Sequence, residues 1–355
     1  MTPRFHSLRI AEVRRESADA VSLRFEVPAA LGAEYAFTQG QHVTLRARVD
    51  GREVRRSYSI CAAPEDGELR VAIRQVPGGL FSTFANTKLA VGDALDVLTP
   101  EGRFFTPLDP ANAKRYAAFA AGSGITPVLS LIKTTLGREP RSRFTLLYGN
   151  RRLASTLFQE ALEDLKDRHL HRFALYNLFS REHQEVDLFN GRLDAAKVEA
   201  FAQRLLPIDS IDEAFVCGPH AMPDDVDGVL RRLGLPAGRI HVERFGMPAA
   251  APAQRLEPGD APQSLVTVVF DGVRRQVDFR AGDPSLLQAA LRAGLDLPYS
   301  CKGGMCCTCR AKLLSGEVRM DRNYSLEQRD LDAGFVLVCQ AHPLSDRVTI
   351  SYDER

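Results

Sequence analysis

The chain has 355 residues, of which 45% are hydrophobic and 26% are charged, and its formal net charge at pH 7 is +1. This length is too great for one ordinary core and predicts two or three domains. The balanced charge, without any run of like charge, argues against binding of nucleic acid and against a polybasic membrane anchor. The sequence has neither the apolar stretch of a secretory signal nor one long enough to cross a bilayer, so we expect no membrane association and a cytoplasmic protein.

The first hundred residues predict short strands joined by turns. Apolar and polar residues alternate along LRIAEVRR, AVSLRFEV, HVTLRARV and ELRVAIRQV, and Asp50-Gly51 marks a tight turn. This pattern predicts an antiparallel β-sheet or β-barrel, which we assign to residues 1–110.

From Tyr116 onward, strand-like and helix-like segments alternate. The predicted strands are YAAFAA, RFTLLYG, RFALYNLF and EAFVCG, and the helices between them include STLFQEALEDLKDR and a segment near 195–205. The first helix is predicted to have Thr126 as its N-cap and Pro127 at its first position. This alternation predicts an α/β domain with a parallel, doubly wound sheet over residues 111–246.

Residues 247–263 are rich in Ala and Pro and predict a semi-rigid linker. After them, SLVTVVFDGVRRQVDF predicts a hairpin around Asp271-Gly272. A short helix, SLLQAALRA, is predicted to end at Gly294. We therefore assign residues 264–355 to a third, smaller domain.

The third domain carries most of the chain's seven cysteines. Their spacing is Cys301-x4-Cys306-x2-Cys309, followed by Cys339 after 29 intervening residues. Four cysteines in this order have the plant-type spacing of a [2Fe–2S] cluster. Structural zinc is the alternative, but it is usually held by two separate cysteine pairs, whereas three of these cysteines share one loop. Disulfides are disfavoured because a reducing cytosol keeps most thiols free.

Cys307 stands between two of the predicted ligands. A neighbour in so tight a loop cannot also point at the same irons, so we interpret Cys307 as a small buried or half-buried filler. A backup ligand and an oxidation-sensitive thiol are the alternatives.

The order hairpin, helix, cysteine loop and strand resembles plant-type ferredoxin over about residues 264–355. The resemblance implies a β-grasp fold and a cluster that takes one electron at a time, with Cys301, Cys306, Cys309 and Cys339 as its ligands.

Two motifs in the first domain resemble those of the ferredoxin–NADP reductase superfamily. They are R-x-Y-S, here RSYS at 56–59, and G-x-x-S, here GLFS at 79–82. Arginine can pair with a pyrophosphate, a tyrosine face can lie against an isoalloxazine ring, and a helix N-terminus favours phosphate. The resemblance implies FAD rather than FMN, bound by Arg56, Ser57, Tyr58, Ser59, Arg74, Val76, Gly79 and Ser82.

The second domain resembles the nicotinamide-binding half of the same superfamily. GSGITP, at 122–127, joins a strand to a helix and has proline where the dinucleotide fingerprint has its third glycine. The tripeptide CGP ends a later strand, and ERF ends the domain. The resemblance implies nicotinamide contacts from Gly122, Gly124, Thr126, Pro127, Cys217, Gly218 and Pro219. It also implies a catalytic site of Ser59, Cys217, Glu243 and Phe245, with Phe245 as the aromatic shield over the flavin.

Arg151, Ser180 and Arg181 follow the second and third strands of this domain, where the superfamily places its contacts to the 2′-phosphate of NADPH. A free ribose would instead favour an acidic partner, and only Glu182 lies nearby. The pattern favours NADPH over NADH, although arginines on loops are often simply solvated.

The segments GGLFSTFAN, LLYGNR, EAFVCGPHAM, HVERF and CKGGMCCTC together resemble the reductase subunits of phenylacetyl-CoA epoxidases. This resemblance implies electron transfer from NADPH through FAD and the [2Fe–2S] cluster to a separate di-iron oxygenase that converts phenylacetyl-CoA to a ring epoxide. Reductases of 3-ketosteroid 9α-hydroxylase share the domain order and are the alternative. A non-enzymatic iron–sulfur redox sensor is a more distant one.

Overall fold

The computed structural model describes residues 3–219, 221–245 and 257–354. The described residues form two compact units: a larger one of 6–54 and 58–245, and a smaller one of 257–354 with the short segments 3–5 and 55–57. Among the described residues, no helix is both long enough and apolar enough to cross a membrane. Of the predicted linker, residues 247–256 lie outside the described residues, and the predicted domain boundaries stay predictions.

The first sheet is antiparallel, as the sequence predicts, and it has six strands. Its strands are β1 (Phe5–Ser17), β2 (Ala20–Glu26), β3 (His42–Val49), β4 (Arg52–Ser59), β5 (Leu69–Arg74) and β6 (Ala94–Leu98), with helix α1 (Leu80–Thr87) after β5. The strand order is β4-β3-β6-β1-β2-β5. A bridge between Ile60 and Val71 joins the two outer edges, so the sheet curls into a barrel. Asp50 and Gly51 both have positive φ, as the tight turn between β3 and β4 requires.

The second sheet is parallel and five-stranded, which confirms the predicted α/β domain. Its strands are β7 (Arg115–Ala121), β8 (Arg143–Asn150), β9 (Phe173–Phe179), β10 (Glu213–Pro219) and β11 (Ile240–Phe245). The helices are α2 (Ile125–Arg138), α3 (Gln159–Arg168), α4 (Ala195–Arg204) and α5 (Met222–Arg232). The strand order β11-β10-β7-β8-β9 puts a topological switch point between β7 and β10. In open α/β sheets, ligands bind at the carboxyl ends of the strands beside such a point.

Two details of the predicted helices are wrong. Helix α2 begins at Ile125, because a 3₁₀ turn over Gly122–Gly124 runs directly into it, and Thr126 therefore lies inside the helix. Helix α3 begins four residues later than predicted. Phe158 has a φ of +56°, and this left-handed conformation interrupts a right-handed helix.

The smaller unit holds the β-grasp fold that the ferredoxin resemblance implies. Its elements are β12 (Gln263–Phe270), β13 (Val273–Arg280), α6 (Leu286–Arg292), β14 (Arg310–Ser315), β15 (Val318–Met320), α7 (Gln328–Asp332), β16 (Phe335–Leu337), β17 (Ala341–Pro343) and β18 (Arg347–Ser351). The main sheet has the order β13-β12-β18-β14-β16, with β12 and β18 parallel. Helix α6 buries Leu286, Leu287 and Ala290 against it. The loop between α6 and β14 carries the clustered cysteines.

Candidate functional site

Three side chains meet at the carboxyl edge of the parallel sheet, beside its switch point. Ser59 Oγ, at the end of β4, donates a hydrogen bond to Glu243 Oε2 at 3.3 Å. Cys217 Sγ, on β10, donates to the same oxygen at 3.9 Å, because the parallel register pairs Cys217 with Glu243 on β11. The structure thus brings together three of the four residues predicted to be catalytic, from three separate segments.

The electrostatics of this group keep the thiol neutral. Burial raises the pKa of Cys217 well above its ordinary value, and the charge of Glu243 and the hydrogen bond to it raise it further. A neutral thiol is a weak hydrogen-bond donor, and a carboxylate can accept from two donors at once. Glu243 is therefore the shared acceptor of the group, with Ser59 and the neutral Cys217 as its two donors.

The glycine-rich turn approaches Cys217 so closely that one of its glycines cannot carry a side chain. A Cβ atom on Gly124 would lie 2.2 Å from the carbonyl oxygen of Cys217. Tyr148 Oη donates to the carbonyl oxygen of Gly122 at 3.0 Å and so holds the other end of the turn. Sequence reasoning missed this role, because only the order of the strands shows that Tyr148 on β8 lies next to the turn after β7.

Of the remaining predicted nicotinamide residues, two are buried at the start of helix α2 and two lie at the end of strand β10. Thr126 and Pro127 are buried, and Thr126 Oγ1 donates to the carbonyl oxygen of Ser123 at 3.0 Å, so both shape the turn from inside. Gly218 and Pro219 end β10, and Pro219 is in register with Phe245 on β11. The shielding role of Phe245 stays a prediction.

The predicted flavin motifs build a compact corner at the start of α1. Ser82 Oγ accepts from the N–H of Val76 at 3.0 Å and donates to the carbonyl oxygen of Gly79 at 3.2 Å. Tyr58 lies with its ring centroid 5.7 Å from that of Phe81, at an interplanar angle of 35°. The hydroxyl of Ser82 is thus engaged with its own turn, whereas Val76 is 57% exposed.

Other predicted flavin residues make contacts within the protein, and their role toward FAD stays a prediction. Arg56 is exposed, and its Nη1 donates to the carbonyl oxygen of Arg55 at 2.7 Å, while Ser57 is half-buried on the same strand. Arg74 pairs with Asp19, with Nε 3.3 Å from Oδ1, and its guanidinium also donates to the carbonyl oxygen of Ser155.

Arg74 therefore lies beside the nucleotide domain as well as the barrel. A Cβ atom on Gly122 would be 3.2 Å from Nη1 of Arg74. This position brings a positive charge to the glycine-rich turn, which the sequence alone did not indicate.

The residues predicted to contact a 2′-phosphate lie side by side after β8 and β9. The N–H of Ser180 donates to the carbonyl oxygen of Asn150 at 3.0 Å, and the N–H of Arg181 donates to that of Arg151 at 2.9 Å. Both arginines are exposed. Glu182 Oε2 accepts from the backbone N–H of Leu153 at 2.9 Å, so this carboxylate is engaged by the neighbouring loop.

Three thiols of the loop between α6 and β14 and the thiol of Cys339, which follows β16, lie together as two hydrogen-bonded pairs. Cys306 is paired with Cys301, and Cys309 with Cys339. The hydrogen bond from Cys306 lowers the pKa of Cys301 to about 7, and backbone N–H groups of Gly303 and Met305 lie 3.3 and 3.5 Å from its sulfur. The hydrogen bond from Cys309 lowers the pKa of Cys339.

This arrangement fits a two-iron cluster. Across 3–219, 221–245 and 257–354, no three His, Cys, Asp or Glu side chains are grouped closely enough to hold one metal ion. A [2Fe–2S] cluster instead divides four cysteine ligands between two irons, two to each. Cys301, Cys306, Cys309 and Cys339 would hold such a cluster as the two pairs described, with the N–H groups near Cys301 available to its sulfur atoms.

Cys307 belongs to neither pair. Its φ of +56° is left-handed, and burial raises the pKa of its thiol to about 12, while a hydrogen bond with Ser325 opposes that rise. The geometry supports the interpretation of Cys307 as a filler, which stays a prediction.

Three domain families match the chain in the order that the sequence predicts. Residues 7–105 match an oxidoreductase FAD-binding domain, residues 119–228 an oxidoreductase NAD-binding domain, and residues 268–344 a 2Fe-2S iron-sulfur cluster binding domain.

Proteins similar along their whole length share this organisation. The chain is 46% identical to a subunit of the 1,2-phenylacetyl-CoA epoxidase of Escherichia coli (strain K12), over 99% of this chain and 98% of that protein. It is 33% identical to the ferredoxin reductase component of 3-ketosteroid-9-alpha-monooxygenase of Rhodococcus rhodochrous, over 97% and 96% of the two chains. Among solved structures, phthalate dioxygenase reductase matches with a TM-score of 0.60 and 25% identity, over 98% of both chains.

The alignments extend over nearly all of each relative, so they include the segments that match the three domain families and the clustered cysteines. The chain therefore belongs to the family of reductase components that pass electrons from a pyridine nucleotide through FAD and a [2Fe–2S] cluster to an oxygenase.

Proposed function

We propose that this chain is the NADPH-dependent reductase of a di-iron phenylacetyl-CoA epoxidase. The observation that carries the proposal is the 46% identity to the phenylacetyl-CoA epoxidase component of E. coli, against 33% to the 3-ketosteroid monooxygenase component at similar coverage. A cytoplasmic location belongs to the proposal, because NADPH and a reduced cluster both require a reducing compartment.

The chain's own residues would organise hydride transfer at the switch point. Gly124 lets the nucleotide turn reach Cys217, and the neutral Cys217 thiol and Ser59 both donate to Glu243. The bound FAD would supply the chemistry, accepting a hydride and releasing single electrons. Ser59, which is buried, would donate its hydroxyl hydrogen bond, and the half-buried Glu243 would accept the proton that accompanies reduction.

Preference for NADPH rests on charge at the carboxyl ends of β8 and β9. Arg151 and Arg181 are exposed there next to Ser180, and a phosphate is well matched by guanidinium and hydroxyl donors. Glu182, an acidic side chain beside these residues, accepts a hydrogen bond from the loop backbone.

The nucleotide preference is tested with Arg181→Ala. We expect KM for NADPH to rise about 10-fold or more with little change in KM for NADH, since the variant loses one charge-assisted contact. Arg239→Ala is the matched control, because Arg239 is equally exposed but precedes β11 at the opposite edge of the sheet. Equal effects on the two nucleotides would contradict the preference for NADPH.

The partner is tested with purified components. We expect NADPH oxidation by this protein to support oxidation of phenylacetyl-CoA by epoxidase catalytic subunits, and to support a 3-ketosteroid oxygenase poorly. The reverse preference would transfer the assignment to the steroid system. In anaerobic stopped-flow mixing with NADPH, flavin bleaching without prompt reduction of the cluster would contradict the electron path and favour a redox sensor.

A further inference from the structure

A buried ion pair lies directly behind the cysteine loop. Arg310 follows the ligand Cys309 and opens β14, and its Nη2 lies 3.2 Å from Asp330 Oδ1 on α7. The two side chains are only 14% and 4% exposed. The guanidinium carbon of Arg310 also lies 3.3 Å from the centroid of the Phe335 ring, on β16.

Backbone hydrogen bonds tie this pair to the loop. The N–H of Arg310 donates to the carbonyl oxygen of Cys307 at 2.9 Å. The N–H of Val338, which immediately precedes Cys339, donates to the carbonyl oxygen of Cys309 at 3.2 Å. The backbone of Arg310 is therefore joined to the loop, and the two segments that carry the second cysteine pair are joined to each other.

We propose that Arg310 and Asp330 act on the reduction potential of the cluster with opposite signs, so that each charge offsets the effect of the other. This inference rests on the proposed ligation by Cys301, Cys306, Cys309 and Cys339. Reduction by one electron from the flavin makes the cluster one unit more negative, so Arg310 favours the reduced state and Asp330 opposes it. Their burial makes each charge more effective than one in water, because the surroundings screen it less.

The alternative is that the pair only anchors α7 beneath the loop. Asp330 also accepts a hydrogen bond from the N–H of Glu327 at 3.2 Å, as expected at the start of a helix. An anchor of this kind predicts that removing either partner lowers cluster content. It predicts no opposite effects of the two partners on the potential.

The test is a redox titration of the full-length protein with FAD and cluster bound, followed by electron paramagnetic resonance of the reduced cluster. We expect Arg310→Gln to lower the potential and Asp330→Asn to raise it, with the double variant close to the parent. Arg310→Lys retains the charge and should also stay close to the parent.

The matched control is Arg329→Gln, which removes a positive charge from α7, the helix that carries Asp330. The Arg329 side chain is 64% exposed and pairs with Glu327 at 2.9 Å, so solvent screens it and the potential should not move. A shift as large as that of Arg310→Gln would mean that total charge, not the buried pair, is responsible.

Shifts of the same sign in Arg310→Gln and Asp330→Asn, or no shift in either, would overturn the inference. If Arg310→Gln does not retain a cluster, Asp330→Asn alone tests the inference. An unchanged or lowered reduction potential of the cluster in that variant would refute it. Absence of a cluster from the parent protein would instead refute the proposed function, so the two failures are distinguishable.

Discussion

Replacement of Gly124 by alanine tests the contact on which the proposed hydride path depends. The added Cβ would lie 2.2 Å from the carbonyl oxygen of Cys217, whereas a carbon and a carbonyl oxygen normally stay about 3.3 Å apart. The turn and β10 must therefore separate by about 1 Å. The backbone of Gly124 has a φ of −62°, which alanine adopts readily, so the steric clash is the sole perturbation.

A displacement of this size acts on hydride transfer more than on folding. Misplacement of reacting groups by about 1 Å can cost about 100-fold in rate, and we expect a loss of that order in flavin reduction by NADPH. The assay is anaerobic stopped-flow measurement of flavin bleaching at saturating NADPH, with FAD content measured on the same sample. FAD content should stay near that of the parent, because Gly124 lies in the nucleotide domain.

Gly137→Ala, within the helix α2 that begins directly after Gly124, provides the matched control. A Cβ atom at Gly137 meets no atom within 4 Å, so alanine should leave flavin reduction unchanged and stabilise α2 by about 0.5–1 kcal/mol. Flavin reduction in Gly124→Ala at the rate of the parent would refute the close approach as the basis of the site.

Two further predictions concern the smaller unit. Cys307→Ser should retain two irons per chain and the visible spectrum of the cluster, whereas Cys301→Ser should lose both, because only Cys301 belongs to a thiol pair. Asp260→Asn should weaken the fold at pH 7 by about 1–3 kcal/mol, because the hydrogen bond from Arg319 holds the pKa of this buried carboxyl below its ordinary value. A lowered carboxyl pKa stabilises the fold above about pH 4 and less as the pH falls below it, so the difference between parent and variant in urea midpoint should narrow toward pH 3.

Equal loss of iron from the Cys307 and Cys301 variants would make Cys307 part of the ligand set. For the pH dependence, Asp278→Asn is the control, because Asp278 is exposed on β13. A parent–variant difference for Asp260 that is the same at pH 7 and pH 3, or a matching effect of Asp278→Asn, would show that the ion pair with Arg319 is not its source.

Features that depend on neighbouring residues were predictable from the amino-acid sequence. The hairpin at Asp271-Gly272 follows from two residues that adopt positive φ, and the cysteine spacing follows from the loop that must surround two irons. The domain types were predictable for a similar reason. Alternation of apolar and polar residues along a strand, and alternation of strands with helices along the chain, are both visible in short stretches of sequence. The late start of α3 was not predictable, because phenylalanine has no preference for the left-handed conformation that Phe158 adopts.

Contacts between distant residues follow from the packing of the folded chain. The approach of Ser59 to Glu243, the contact of Gly124 with Cys217 and the position of Arg74 beside Gly122 depend on strand order and register. The pairing of Cys309 with Cys339 and the ion pair behind their loop depend on β16 lying next to β14. A sequence states which groups are present, but burial, which sets the strength of their charges and hydrogen bonds, arises only when separate segments pack together.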